Sequence, residues 1–296
     1  MRPAEQGFLL LTSLLGNPDR HPLTQSQLGV LTQRAALLER KNADRELELE
    51  DLLAIGYGRD MAYRILALLS EEALLQHYLH KASRRGCIPL TRITEGYPAV
   101  LRQRLGEDSP GCLWAKGDLS VLSMPRIALV GSRDISRENE TFAREVGRQA
   151  ALQGYALVSG NARGADRIAQ QACLEQGGKV ISVVADRLWD KKPEPGVLYL
   201  SEEDFDEDFS PLRALRRNRV IHALGEAAFV AQCDLGKGGT WSGTERNLKA
   251  GWSSVFCFAD GSPAVAELVQ LGAEAVGIQD LAELKKLTVR RNLFDQ

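Results

Sequence analysis

Arginines set beside glycines at the ends of short apolar runs mark the chemistry of this sequence. Gly131-Ser132-Arg133 follows the run Arg126–Val130, and Ser159-Gly160-Asn161-Ala162-Arg163-Gly164-Ala165-Asp166 follows Tyr155–Val158. Small residues let backbone N–H groups approach an anion, a serine hydroxyl can donate to it, and an arginine can clamp it through two parallel hydrogen bonds. That combination suits phosphate. Asp166 falls in the first turn of the next helix, where a carboxylate complements the helix dipole. Capping and holding Arg133 or Arg163 for a ligand stand equally open as its role.

Two further segments extend the pattern. Arg213, Arg216 and Arg217 sit at i, i+3 and i+4 of one helical stretch, with Asn218 and Arg219 behind them, and no acid lies within Leu212–Leu224. An unneutralised arginine face is the footprint of phosphate binding. Gly236-Lys237-Gly238-Gly239-Thr240-Trp241-Ser242-Gly243-Thr244 reads as a phosphate-friendly loop that opens a helix at Glu245. Trp241 there suits either stacking on a base or closing the loop against the core. The glycine spacing is neither G-x-G-x-x-G nor that of a Walker A loop.

Elements of fixed type must position these turns. β-prone runs at Ile127–Val130, Ala156–Val158, Val180–Val184, Ala227–Ala231, Ser254–Phe258 and Ala275–Gly277 alternate with helical spacing at Glu138–Gln153, Ala165–Glu175, Leu212–Leu224, Glu245–Gly251 and Ala264–Leu271. Such alternation predicts an α/β, Rossmann-like, doubly wound and mostly parallel sheet over 125–287, with ligands at the carboxyl ends of its strands. The four segments above then converge on one edge.

Residues 1–85 read as a small all-helical domain: Ala4–Leu15, Thr24–Lys41 with Thr24 as N-cap, Glu46–Ile55, Asp60–Leu69 and Glu71–Arg85. Ile55-Gly56-Tyr57-Gly58 fits a helix-hairpin-helix turn, though a plain packing turn accounts for it more simply. Residues 86–124, with a short strand at Cys87–Leu90, form a structured connector, and 288–296 a tail. The run Glu202–Asp208 carries six acids in seven residues without helical phasing, the pattern of a solvated loop. Placed before the arginine helix, it is also positioned to shield a phosphate pocket.

At 296 residues, 44% apolar and 26% charged, the chain has the composition of a globular protein with about two domains. No apolar run reaches the roughly 18 residues of a membrane span, and the start shows no signal-peptide pattern. Five scattered cysteines, odd in number and without C-x-x-C spacing, predict reduced, buried thiols, no metal and a cytoplasmic location. The net charge of −2 conceals that 27 of the 37 basic residues are arginine; local fields matter more for partners than the sum does.

Val130–Arg133, Val158–Asp166, Arg217–Leu224 and the glycine stretch up to Thr244 resemble, in order, the motifs of the DNA-processing protein A family (DprA/Smf), of the Rossmann-like SLOG superfamily. Tyr97-Pro98 with Leu101 and then Leu113–Gly117 is similar to that family's entry into its Rossmann-like domain. The resemblance implies a homodimeric protein without a cofactor or catalytic residues. It would bind and protect single-stranded DNA and load a RecA-type recombinase, in DNA uptake, natural transformation or recombination. Ser132, Arg133, Gly160, Arg163, Gly164, Arg217, Asn218 and Arg219 would line the pocket, with Lys237. The alternative within the superfamily is a nucleotide-ligand sensor or a nucleoside-phosphate hydrolase of the "LOG" type, whose GG-x-GT-x-x-E loop meets Asn247 here at the glutamate position.

Overall fold

The computed structural model describes residues 1–38 and 47–289. Five helices come first: α1 (Pro3–Thr12), α2 (Gln25–Ala35), α3 (Leu49–Ala54), α4 (Arg59–Leu69) and α5 (Glu72–Arg84). Thr24 caps α2 as its sequence predicts, its hydroxyl accepting from the Gln27 N–H at 3.2 Å. The expected extension of α2 to Lys41 is corrected, since the helix ends at Ala35 and 36–38 turn out of it; residues 39–41, the start of the next helix at Glu46 and most of the tail lie outside the described residues. Gly56, at φ +85°, turns α3 into α4. Arg34 donates to the Gly56 carbonyl and lies 4.8 Å from the Tyr57 ring centroid. That turn packs helices against one another, with Leu52, Ala62 and Ile65 buried beneath it.

The remainder runs β1 (Ile88–Thr91), α6 (Ala99–Leu105), β2 (Cys112–Lys116), β3 (Arg126–Val130), α7 (Arg137–Leu152), β4 (Ala156–Ser159), α8 (Ala165–Glu175), β5 (Lys179–Val183), β6 (Val197–Ser201), α9 (Pro211–Leu224), β7 (Ala227–Val230), α10 (Gly238–Ala250), β8 (Ser254–Phe258), α11 (Pro263–Gln270), β9 (Glu274–Val276) and α12 (Leu284–Val289). One nine-stranded sheet holds them, in the order β1-β2-β6-β5-β4-β3-β7-β8-β9. The β1–β2 and β2–β6 pairings are antiparallel and the rest parallel. Both faces are covered, and the strands alternate between them. Ile127 and Leu129 join one core, Ala128 and Val130 the other, as a period of two requires.

Three further expectations are corrected. The segment 86–124 supplies two strands of the main sheet, so that sheet extends beyond 125–287. Strand β6 goes unread in the sequence, because the acidic run directly after it dominates the local composition. Helix α10 begins at Gly238, about two turns earlier than the predicted Glu245. Packing overrides the poor helix propensity of glycine there: Trp241, Gly243 and Thr244 are buried on the inner face of α10, and Asn218 Nδ2 donates to the Gly239 carbonyl at 3.0 Å. The glycine stretch is therefore a helix start, and Trp241 belongs to the core. All five cysteines are free and buried. Among the described residues, no helix is long and apolar enough to cross a membrane.

Candidate phosphate-binding pocket

Strands β3, β4 and β5 end side by side, and the loops that follow them enclose a cavity of about 520 Å³. Arg133, Gly160, Asn161, Ala162, Arg163, Ala185, Asp186, Phe209 and Arg217 line it. The first two loops interlock. Gly164 has φ +84°, and a Cβ on it would lie 2.4 Å from the Arg133 carbonyl oxygen and 2.5 Å from that of Ser132. A Cβ on Gly131 would lie 2.4 Å from that of Ala165. Ala165 N–H closes the contact by donating to the Ser132 carbonyl at 3.2 Å. Only glycine fits at either place, and the interlock carries Arg133 and Arg163 on one ledge.

Asp166 is buried and accepts from the N–H groups of Gly160 and Ala162, both at 3.1 Å. Burial pushes its carboxyl above the usual range, while Arg217 and those two N–H groups pull it back. Its hydrogen bonds thus hold the loop that frames the cavity. Arg163 meets Asp134 at 2.6 Å, with both side chains exposed, a contact of small worth in water. Arg133 is exposed and has no ion pair among the described residues.

Arg217 differs from both, being 7% exposed. Its guanidinium packs against Gly160, where a Cβ would fall 1.9 Å from Nη1. Its hydrogen bonds go to the carbonyls of Val183 and of Ala214, the latter at 3.3 Å. Burial pulls its pKa down, opposed chiefly by Asp166 and Asp186. A buried guanidinium bonded to neutral carbonyls, without a carboxylate in contact among the described residues, is a group that an incoming anion stabilises.

The other predicted arginines lie elsewhere, and the reading of α9 as an unneutralised face is corrected. Its acids come from the run at 202–208. Arg213 is buried, with Nε 2.7 Å from Glu203 and a hydrogen bond of 2.7 Å to the Glu207 carbonyl. Arg219 pairs with Glu202 at 2.9 Å, both nearly enclosed. Arg216 is exposed and stands 3.8 Å from Glu203. Arg216 and Arg219 line a separate cavity between the N-terminal helices and the sheet.

The acidic run is accordingly no solvated loop. Asp204 accepts from the N–H groups of Leu14 and Leu15 at 2.6 and 3.2 Å. Asp206 takes the Tyr78 hydroxyl and the Lys81 ammonium, the latter at 2.9 Å. Asp204 and Asp206 thus fasten the N-terminal helices, while Glu202 and Glu203 neutralise α9.

Other predicted residues take structural positions. Ser132 Oγ donates to the Gln232 carbonyl at 3.2 Å, and the Ser159 hydroxyl, wholly buried, accepts from Gln170. Lys237 is exposed on a different cavity, with Asp234 and Asp260. Gly238, Gly239 and Thr240 form the first turn of α10, and Thr244 is buried within it. Asn218 faces that turn. The convergence therefore comprises the first two segments and Arg217. Asp186 and Phe209 were missed; applying the strand-end rule to β5 finds Asp186, whereas Phe209 gives no local signal.

A family model described as DNA recombination-mediator protein A matches residues 89–284. The chain is 32% identical over 263 residues to the DNA processing protein DprA of Streptococcus pneumoniae, covering 83% of this chain and 90% of that protein. It is 33% identical over 158 residues to the protein Smf of Escherichia coli, covering 49% of this chain and 41% of that protein, so it spans less than half of Smf. The crystal structure of the S. pneumoniae DprA aligns with a TM-score of 0.66 at 27% identity, over 89% of this chain and 98% of that one. A structure of DNA processing protein A from Helicobacter pylori, described for its single-stranded DNA binding mode, aligns with a TM-score of 0.56 at 27% identity, over 68% and 96% of the two chains.

Proposed function

The chain belongs to the DNA recombination-mediator protein A family (DprA/Smf), and from that premise we propose that it binds single-stranded DNA in the arginine-lined cavity as a non-enzymatic DNA-processing protein. One observation carries the reading: the buried Arg217 guanidinium, bonded among the described residues to carbonyls alone, forms the floor of a cavity rimmed by Arg133 and Arg163. A phosphodiester supplies the missing negative charge, and the rim arginines, already close to water, follow the strand at little desolvation cost. The H. pylori relative supports the choice of ligand, since its structure is described for binding single-stranded DNA. Protection of the strand, delivery to a RecA-type recombinase and homodimer formation belong to the same reading and rest on the family.

A hydrolase fits less well. Asn247 stands where the nucleotide-cleaving enzymes carry glutamate, and its side chain is spent inside the protein: Nδ2 donates to Ser253 Oγ at 3.0 Å, and Oδ1 accepts from the Ser253 N–H at 2.9 Å. Asp166 is taken up by its own loop, and Asp186, on the cavity wall, is paired with Lys191 at 2.6 Å. Fluorescence anisotropy with a labelled oligonucleotide at rising salt tests the proposal. Log affinity is expected to fall linearly with log salt, by about 0.7 per phosphate contacted. Absence of binding at low salt, or release of free base from mononucleotides, would refute it.

A further inference from the structure

Three large apolar side chains lie in the open beside the pocket. Phe209, Leu212 and Leu215 are 52%, 56% and 45% exposed and recur every third residue from just before α9 into its second turn. Phe209 is itself part of the cavity wall with Arg133, Arg163 and Arg217. At the other end, Leu215 Cδ2 stands 3.3 Å from where a Cβ on Gly239 would be, against the start of α10. The stripe thus leaves the cavity and runs along α9. Arg216, next to Leu215, is exposed along it.

Leaving such side chains in water forgoes the burial that each would gain elsewhere, and a contiguous exposed apolar patch commonly marks a contact surface. Nucleobases suit this one. They are flat, largely apolar on their faces and attached to the phosphates that the adjoining arginines attract, whereas a duplex keeps those faces stacked inside. We propose that the Phe209–Leu212–Leu215 stripe receives unpaired bases of the strand whose phosphates occupy the arginine cavity, with Phe209 stacking on the base nearest the pocket. This rests on the single-stranded DNA reading above and adds to it the means of telling single strands from duplex. Bases meet the stripe through their faces, so the contact is indifferent to sequence.

The test compares affinities for three ligands of equal length: oligo-dT, a tetrahydrofuran oligomer that keeps the phosphates but lacks bases, and duplex. Wild-type protein, Phe209→Ala, Leu212→Ser/Leu215→Ser and Arg133→Ala are measured at one salt concentration, with circular dichroism and light scattering on each. Wild type should bind oligo-dT at least about tenfold more tightly than the abasic oligomer or the duplex. The stripe variants should lose about tenfold on oligo-dT and nothing on the abasic oligomer, while Arg133→Ala weakens both. Equal wild-type affinity for oligo-dT and the abasic oligomer would overturn the stripe and leave the phosphate pocket standing. Failure of wild type to bind any ligand would overturn both readings. Stripe variants that change from dimer to monomer while binding oligo-dT as wild type does would assign the surface to self-association instead.

Discussion

At the residue scale, single atoms decide which polar groups serve the pocket. Gly164 is the sharpest case, since its positive φ and its 2.4 Å approach to the Arg133 carbonyl both exclude a side chain. Gly164→Ala should cost about 1–3 kcal/mol in backbone strain and push the two loops apart. Affinity for single-stranded DNA should then fall although no charge is removed. A thermal melt and an anisotropy titration check this, and unaltered affinity would mean that the turns need not interlock. Arg213 behaves in the opposite way. Buried against the half-buried Glu203 and two backbone carbonyls, it should cost about 1–3 kcal/mol when replaced by Ala, because those acceptors lose their partner. The salt slope of binding should not change. A shallower slope with an unchanged urea midpoint would put Arg213 on the path of the strand. The sequence makes Arg133, Arg163 and Arg217 legible as candidate phosphate ligands through their glycine neighbours and family motifs, and the structure places all three on one cavity. It hides that Arg213 and Arg219 are consumed by Glu202 and Glu203, because helical spacing within α9 says nothing about a segment that folds back on it.

At the scale of elements, the acid-rich segment between β6 and α9 is a clasp. Read by composition alone it is a solvated loop; its neighbours in space, Leu14, Leu15, Tyr78 and Lys81, are more than 100 residues away in the chain. Strands β3, β4, β5, β7 and β8 are legible because each is a continuous apolar run, whereas the glycines of α10 conceal a helix that packing imposes. The clasp has a pH signature. Burial pushes the Asp204 carboxyl up to about 6, with Asp206 and Glu207 adding to the rise and hydrogen bonds from Ser13 and Leu14 opposing it. Its unfolded value is near 4, so between about pH 4 and 6 the folded chain holds a proton that the unfolded chain has lost. The contribution of this group to stability is therefore fully present below pH 4 and declines as pH rises to 6, by roughly 3 kcal/mol if Asp204 acts alone. Asp204→Asn keeps an oxygen acceptor for Leu14 and Leu15 and removes the titration. Urea midpoints for this variant should lack that decline, and a pH profile identical to wild type would show that Asp204 does not carry it.

For the whole molecule, the change of texture near residue 85 marks where helices give way to sheet, yet the boundary does not divide the core. Leu9, Leu10, Leu15, Leu75 and Tyr78 from the helices lie in the same cluster as Trp114, Phe142 and Phe205 from the sheet region. Tyr78 packs edge-on against Trp114, with ring centroids 5.7 Å apart, and lies 4.5 Å from Phe205. Periodicity in residues 1–85 reveals which faces are apolar but not that β2 and the clasp cover them. Five large side chains, at about 1.5–3 kcal/mol each for burial, amount to roughly 8–15 kcal/mol across the boundary. That is comparable to the net stability of a typical domain, about 5–15 kcal/mol, so neither part should outlast the other. Urea unfolding should be a single transition, with tryptophan fluorescence and far-ultraviolet circular dichroism coinciding. The fluorescence arises wholly from residues 114–252, which hold all four tryptophans, whereas the dichroism also reports the N-terminal helices. A chain beginning at residue 86 should lose most of its stability because Trp114 and Phe205 become exposed. Two separated transitions, or a truncated chain with the full-length midpoint, would show that the helices are an independent domain resting on the sheet.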